Sequence, residues 1–217
     1  MAASYGCASA CGPSSNATSQ ARSGACAPTF STSSCLLGTA GEILLVSRSW
    51  DEFARGNGGA PACLGAHVVG KNYFSFIEGL GPRNYYETVW AQVIGGTSVS
   101  VGSECNTVTV ARRLLSHFLP VKLGHVYGAV VMHAVIRDVP IADVHPIREA
   151  DAKRYLHDRG QLVACSSCRR VRSRDGSGWS FVPAYFDKSH ATSFGYCRDC
   201  LRLLRYRGRP DSVPGRG

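Results

Sequence analysis

Gly41-Glu42-Ile43-Leu44-Leu45-Val46-Ser47-Arg48-Ser49-Trp50-Asp51-Glu52-Phe53-Ala54-Arg55-Gly56-Asn57-Gly58-Gly59 reads as a strand that runs straight into a short helix and stops. The apolar run Ile43 to Val46 suits a strand. Ser49 with Glu52 three residues on has the spacing of a capping box, and Trp50, Phe53 and Ala54 give the helix an apolar face. Asn57-Gly58-Gly59 can end it through a residue in the left-handed conformation. Upstream, Leu36-Leu37 and the small residues Gly38 to Gly41 predict a first strand and a turn.

Downstream, Asn84 to Ile94 carries Tyr85, Tyr86, Val89, Trp90, Val93 and Ile94 at one-face helical spacing before Gly95-Gly96. Three strands are then predicted, at Thr97 to Gly102, Thr107 to Phe118 and Val121 to Arg137, from their β-branched and aromatic content. Two strands, short helices, then three strands imply an α+β unit with an antiparallel sheet covered on one face. Pro140 and Pro146 break the next stretch and leave Ile147 to Asp158 as a helix within a connector. Composition and pattern divide the chain into a disordered Ala/Ser/Gly-rich leader (1–34), an α+β domain (35–138), a connector (139–161), a four-cysteine module (162–208) and a disordered tail (209–217).

The stretch 41–59, together with Gly70-Lys71-Asn72-Tyr73 and Gly128-Ala129-Val130-Val131-Met132-His133, resembles bacterial PAS sensory domains. Such domains carry "nxxWxxFAxxNGG", "GxNY" and a last strand "GxVVSHxDIT", from which Met132 and Val135-Ile136-Arg137-Asp138 depart. The resemblance implies a PAS-like sheet with helices on one face and a small-ligand pocket among Trp90, Val99, Val130 and Met132, the ligand being unknown. Haem would need an axial histidine, for which His67, His117, His125 and His133 are available. The Asn-Cys-Arg-Phe segment of photoactive flavin domains is absent. Cys63 and Cys105 read as packing residues.

Cys165-Ser166-Ser167-Cys168 and Cys197-Arg198-Asp199-Cys200 are separated by 28 residues. Two residues between thiolates allow both to turn toward one point, and two such knuckles complete a tetrahedron. Four thiolates leave zinc no open position, so the expected ion is structural; two disulfides or free thiols are the competing reading. Gly176-Ser177-Gly178 predicts a turn, Trp179 to Val182 a strand, and Cys197 to Tyr206 a helix with Leu201 and Leu204 on one side, a treble-clef-like order. The segment from Cys165 through Arg172, Asp175-Gly176, Gly178-Trp179, Tyr185 and Gly195 to Cys200 resembles the "CSxCKKIRDxxGxW…Y…SHGxCPxC" segment beside bacterial PAS, receiver and kinase domains. The family's histidine before the second pair is absent here. His190 is displaced and reads as a surface residue outside the metal shell.

Charge is uneven: residues 1–150 hold 10 Lys+Arg against 9 Asp+Glu, and residues 151–217 hold 14 against 6. A basic module implies acidic partners. Arg169, Arg170 and Arg172 flank the first knuckle, and Arg198, Arg202, Arg205 and Arg209 recur at helical spacing, forming a candidate basic face for an acidic protein or for nucleic acid. No apolar run is long enough for a membrane span, the leader lacks the pattern of a secretory signal, and paired CxxC motifs fit a reducing cytoplasm. Cys7, Cys11, Cys26 and Cys35 then read as free thiols. With no phosphate-cradling Gly-Lys-Ser/Thr loop, no nucleophile elbow and no paired acidic site, the expectation is a non-enzymatic adaptor that meets a protein partner and is open to homodimerisation. A nucleic-acid-binding regulator and a catalytic or redox metalloprotein are the alternatives.

Overall fold

The computed structural model describes residues 32–124, 126–186 and 190–204. The first apolar run forms β1 (Thr32–Gly38) and β2 (Ile43–Val46), so the first strand begins three residues before the leader boundary drawn from composition. Helix α1 (Arg48–Gly56) follows. Its cap is Ser47, whose hydroxyl accepts from Trp50 N at 3.2 Å, rather than Ser49. The backbone explains the two-residue displacement: Ser47 N–H donates to Ser34 O at 2.8 Å, which ties Ser47 to β1 and leaves it extended. Gly58 takes φ 71°, and Gly59 N–H returns to Ala54 O at 2.8 Å, ending the helix as expected.

After α2 (Gly65–Val68) and a 3₁₀ turn at Tyr73–Phe76, helix α3 runs from Leu80 to Ile94. It starts four residues earlier than the periodicity predicted. Three strands then form, β3 (Val99–Glu104), β4 (Val110–Leu123) and β5 (Val126–Pro140). The sheet is antiparallel with order β2-β1-β5-β4-β3. The fold is α+β, with a PAS-like sheet and short helices on one face. Pro120 lies within β4 opposite Ala129 of β5. It is tolerated because β3 stops pairing at Phe118, so that side of β4 has no further strand to meet.

The helix-covered face is an aromatic core. Phe118, fully buried, meets Tyr73 edge-on at 6.1 Å and Tyr86 at 6.2 Å, with Cys35, Leu37, Trp50, Ala129 and Val131 around them. His133 is buried here, its ring parallel to Tyr73 at 6.3 Å and its Nδ1 paired with Ser116 Oγ at 2.8 Å. Burial holds its pKa well below the usual histidine range, so the ring is neutral.

The second unit is a four-stranded sheet of order β8-β7-β6-β9, built from β6 (Leu162–Cys165), β7 (Val171–Arg172), β8 (Trp179–Ser180) and β9 (Thr192–Gly195). Helix α5 (Arg198–Leu204) ends the described chain. The stretch read as a connector contributes to this unit. Tyr155, from the short α4 (Ala152–Tyr155), packs with Leu162, Val171 and Val182, and Ile147 bridges to Phe181. The predicted long helix over 147–158 is replaced by these pieces, because Ile147 is drawn into strand-like pairing with Phe181.

Truncating Phe118 to Ala should cost about 3–5 kcal/mol through the cavity left among Tyr73, Tyr86 and Val131. Urea unfolding would show a lower midpoint at unchanged slope. A loss below about 1 kcal/mol would place Phe118 outside the core.

Candidate metal centre

Each cysteine pair sits where a short element ends. Cys165 closes β6, and the chain folds back so that Arg169 N–H donates to Cys165 O at 3.0 Å and Cys165 N–H donates to Arg170 O at 2.8 Å. Arg169 takes φ 66° to make this turn, a conformation that costs a side-chain-bearing residue about 1–2 kcal/mol. Cys197 immediately precedes α5, and Cys200 lies in its first turn.

The four Sγ atoms lie within 4.8 Å of one another, and all four residues are buried to 1% exposure or less. Cys168 and Cys197 sulfurs are 3.7 Å apart. Neither pair is joined as a disulfide, whose sulfurs would be about 2.05 Å apart. A tetrahedron with arms of about 2.3 Å has edges near 3.8 Å, so the separation fits four thiolates around one ion. Hydrogen bonding to Cys168 lowers Cys165, and hydrogen bonding to Cys165 lowers Cys197, while Cys168 and Cys200 are raised by their bonds to Cys165. The set is a dry sulfur-donor site able to bind a metal.

The end of β3 and two neighbouring loops of the first unit complete the first knuckle. Ser166 Oγ donates to Glu78 O at 3.0 Å. Ser167 Oγ accepts from Glu104 N at 2.8 Å and is 3.1 Å from Glu104 O. Asn106 Nδ2 donates to Cys168 O at 3.0 Å, while its Oδ1 accepts from Arg112 N at 3.1 Å. Nearby, Gly79 has φ 92°, and a Cβ there would lie 2.8 Å from Phe194 O, so only glycine lets the start of α3 meet β9 this closely. On the other flank, α5 packs against edge strand β3 and sends Leu204 into the aromatic core, with Tyr85 O–H donating to Leu204 O at 2.8 Å. Tyr196 touches both that core and the sulfur cluster.

Behind this contact Glu104 is buried, with Arg113 and Arg137 at 3.4 Å, His145 at 3.5 Å and Asn106 at 3.3 Å. Burial pushes its carboxyl up, but His145, Asn106 and Arg113 outweigh it and hold the pKa below the usual carboxylate value of 4.5.

The remaining predicted residues are scattered. Trp90 lines a shallow cleft with Ala40, Asn72 and Phe74, and its Nε1 donates to Thr39 O at 3.1 Å. Val99 pairs with Phe118 at the core margin. Val130 and Met132 lie on the sheet face away from the helices, because Ala129, Val131 and His133 take the inward positions. The four therefore do not line one cavity. His67 is exposed, His117 bonds Ser100 at 2.7 Å, and His125 lies outside the described residues. Among the basic residues, Arg172, Arg198 and Arg202 are exposed, whereas Arg169 is 7% exposed and 4.0 Å from Glu78, and Arg170 is bonded to the sulfur cluster. Arg205 and Arg209 lie outside the described residues. So do Cys7, Cys11 and Cys26, while Cys35 is buried, its thiol pushed up to about 12 by burial. Leu204 is buried as expected, but Leu201 is exposed. Cys63 is fully buried and disulfide-bonded, and so is not a simple packing thiol. His190 stacks edge-on with Tyr185 and is not part of the four-sulfur set. Sequence reading did not single out Glu104, Asn106, Ser166 or Ser167. Their partners are far along the chain, and no local spacing marks them.

No helix among the described residues is long and apolar enough to cross a membrane. No family model matches the chain, and no curated protein matches it. Among solved structures it is similar to a domain of an HTR-like protein from Haloarcula marismortui, at TM-score 0.35 and 14% identity over 49% of this chain and 98% of that one. It is also similar to a domain from the same organism described as that of a light and redox sensing histidine kinase, at TM-score 0.31 and 13% identity over 52% and 92% of the two chains. The fold assignment stands on strand order and register.

Asn106→Ala should leave Cys168 O and Glu104 short of a donor, costing roughly 1–3 kcal/mol in chemical unfolding. It should also weaken metal retention by about 10-fold or more in a chelator competition. Unchanged values in both would separate Asn106 from the centre. Because the folded Glu104 pKa is lowered, its contribution to stability is fully present above about pH 4.5 and is lost as pH falls through the folded value. Glu104→Gln should flatten that part of the acid limb in a pH series of unfolding midpoints, and an unaltered limb would contradict the assignment.

Proposed function

We propose that this chain is a non-enzymatic cytoplasmic signalling adaptor of bacterial type. Its PAS-like domain senses a small ligand or a redox state and relays it to an interaction module held together by one zinc ion. Cys165, Cys168, Cys197 and Cys200 are the ligands. Zinc supplies folding free energy to a unit too small to bury a sufficient core, of order 10 kcal/mol in zinc-finger peptides, and performs no chemistry on a substrate. One observation carries the reading: the first knuckle is bonded through Ser167 to Glu104 at the end of β3 and through Cys168 O to Asn106 in the loop that follows, so strand end and sulfur cage share one set of hydrogen bonds. The relay runs across this contact rather than along residues 139–161.

The module's output is a protein partner met through its exposed basic residues, Arg172, Arg198 and Arg202 among them. With Arg169 and Arg170 turned inward, the described part of the basic face is smaller than the sequence suggested, which favours a protein over nucleic acid. A gel shift across a salt series tests the alternative: binding that weakens steeply with salt would favour nucleic acid, and no shift at low salt would remove it.

Coupling between two sites is reciprocal, so disturbing the metal must be felt in the sensor. Removing zinc with a chelator under reducing conditions should raise amide hydrogen exchange across β3, Val99 to Glu104, as well as in β6. Exchange that rises in the module alone would leave the two units energetically independent and contradict the relay.

A further inference from the structure

Arg170 stands two residues beyond Cys168, and its guanidinium lies against the sulfur cluster. Nε donates to Cys168 Sγ at 3.2 Å, and one terminal nitrogen donates to Cys197 Sγ at 3.1 Å and to Asp199 Oδ2 at 2.7 Å. One planar cation therefore touches a sulfur from each knuckle and the carboxylate inside the second pair. The side chain is 15% exposed, and the cleft beside it is lined by His145, Arg148, Trp179 and Phe181.

The inference that follows rests on the zinc reading above. Four thiolates around Zn²⁺ carry a net charge of −2, and a closed cage of that charge in a dry setting keeps nucleophilic sulfur lone pairs. N–H donors directed at those lone pairs withdraw density from them, and charge-assisted bonds of this kind are roughly twice as strong as neutral ones. Backbone amides add little here: Cys197 N–H reaches Cys165 Sγ at 3.4 Å and Cys200 N–H reaches Cys197 Sγ at 3.5 Å. Among the described residues, the shortest N–H contacts to these sulfurs come from Arg170.

We propose that Arg170 is a built-in part of the metal centre, a clamp that ties the two knuckles and makes Cys168 and Cys197 resist electrophiles, with Asp199 fixing the guanidinium in place. A lysine would not replace it, because a single ammonium cannot present the planar fork that meets two sulfurs and a carboxylate together.

N-ethylmaleimide is the probe. Its alkene carbon forms a bond to a thiolate sulfur, the zinc–sulfur bond breaks, and a solvent proton completes the adduct, so zinc is released without any redox change. Release is followed with a chromophoric chelator on full-length wild type, R170A, R170K and D199N. Zinc content and far-UV circular dichroism are measured before the reagent is added. R170A and R170K should release zinc roughly 10-fold or more faster than wild type, with D199N between them. Rates for both Arg170 variants within about twofold of wild type, with one zinc bound at the start, would overturn the clamp while leaving the zinc reading intact. If R170A does not fold, R170K decides by the same criterion. Wild-type protein that holds no zinc before the reagent is added overturns the zinc reading and the clamp together.

Discussion

The first knuckle is closed in a place where water does not reach, and this constraint organises the rest. Residues 165 to 168 are buried to 3% exposure or less, so each hydroxyl and peptide group in the turn must find a partner within the protein. The first unit provides several of those partners: Glu78 O just before α3, both backbone groups of Glu104 at the end of β3, and the Asn106 amide in the loop after it. A buried polar group left unpaired costs about 1–3 kcal/mol. Separating the units would expose or orphan several at once. Sulfur cage and antiparallel sheet therefore fold onto one another and are not beads on a linker.

That arrangement bears on the proposed relay. Among the described residues, strand β3 is an edge strand that pairs with β4 alone, and α5 packs against it. Its far end holds the Glu104 charge cluster and the knuckle. A strand so placed can register a change in the aromatic core through Val101 and a change at the cysteines through Glu104. Tyr196 and Leu204 bring the last helix into the same contact from the module side. Gly79, in close approach to Phe194, lets α3 join it. Transmission requires two arrangements of this shared surface whose balance a ligand can bias.

Much of this was readable from sequence where the signal is local. The CxxC spacing places two thiolates in one turn whatever the surroundings, and the β-branched runs mark β4 and β5 because strand preference survives in long segments. Phase and distance were not readable. Ser47 and Ser49 both precede Trp50, and only the bond from Ser47 to β1 decides which caps the helix. Alternation along β5 is plain, but which set faces the helices depends on the tertiary packing, and Val130 and Met132, expected at a pocket, lie on the face away from them. Residues 139–161 carry prolines and look like a connector, yet Ile141 and Tyr155 bury because cores formed by distant residues receive them. Arg170 reads as surface charge until the second knuckle, with Asp199, is brought beside it.

The central claim is that a single zinc ion held by Cys165, Cys168, Cys197 and Cys200 fixes the module on the sheet. Its most direct test is native mass spectrometry of protein purified under reducing conditions, joined to alkylation mapping of each cysteine. The account predicts one zinc per chain, with these four thiols protected until a chelator is added. A metal-free chain, folded and alkylated at all four positions, would contradict it.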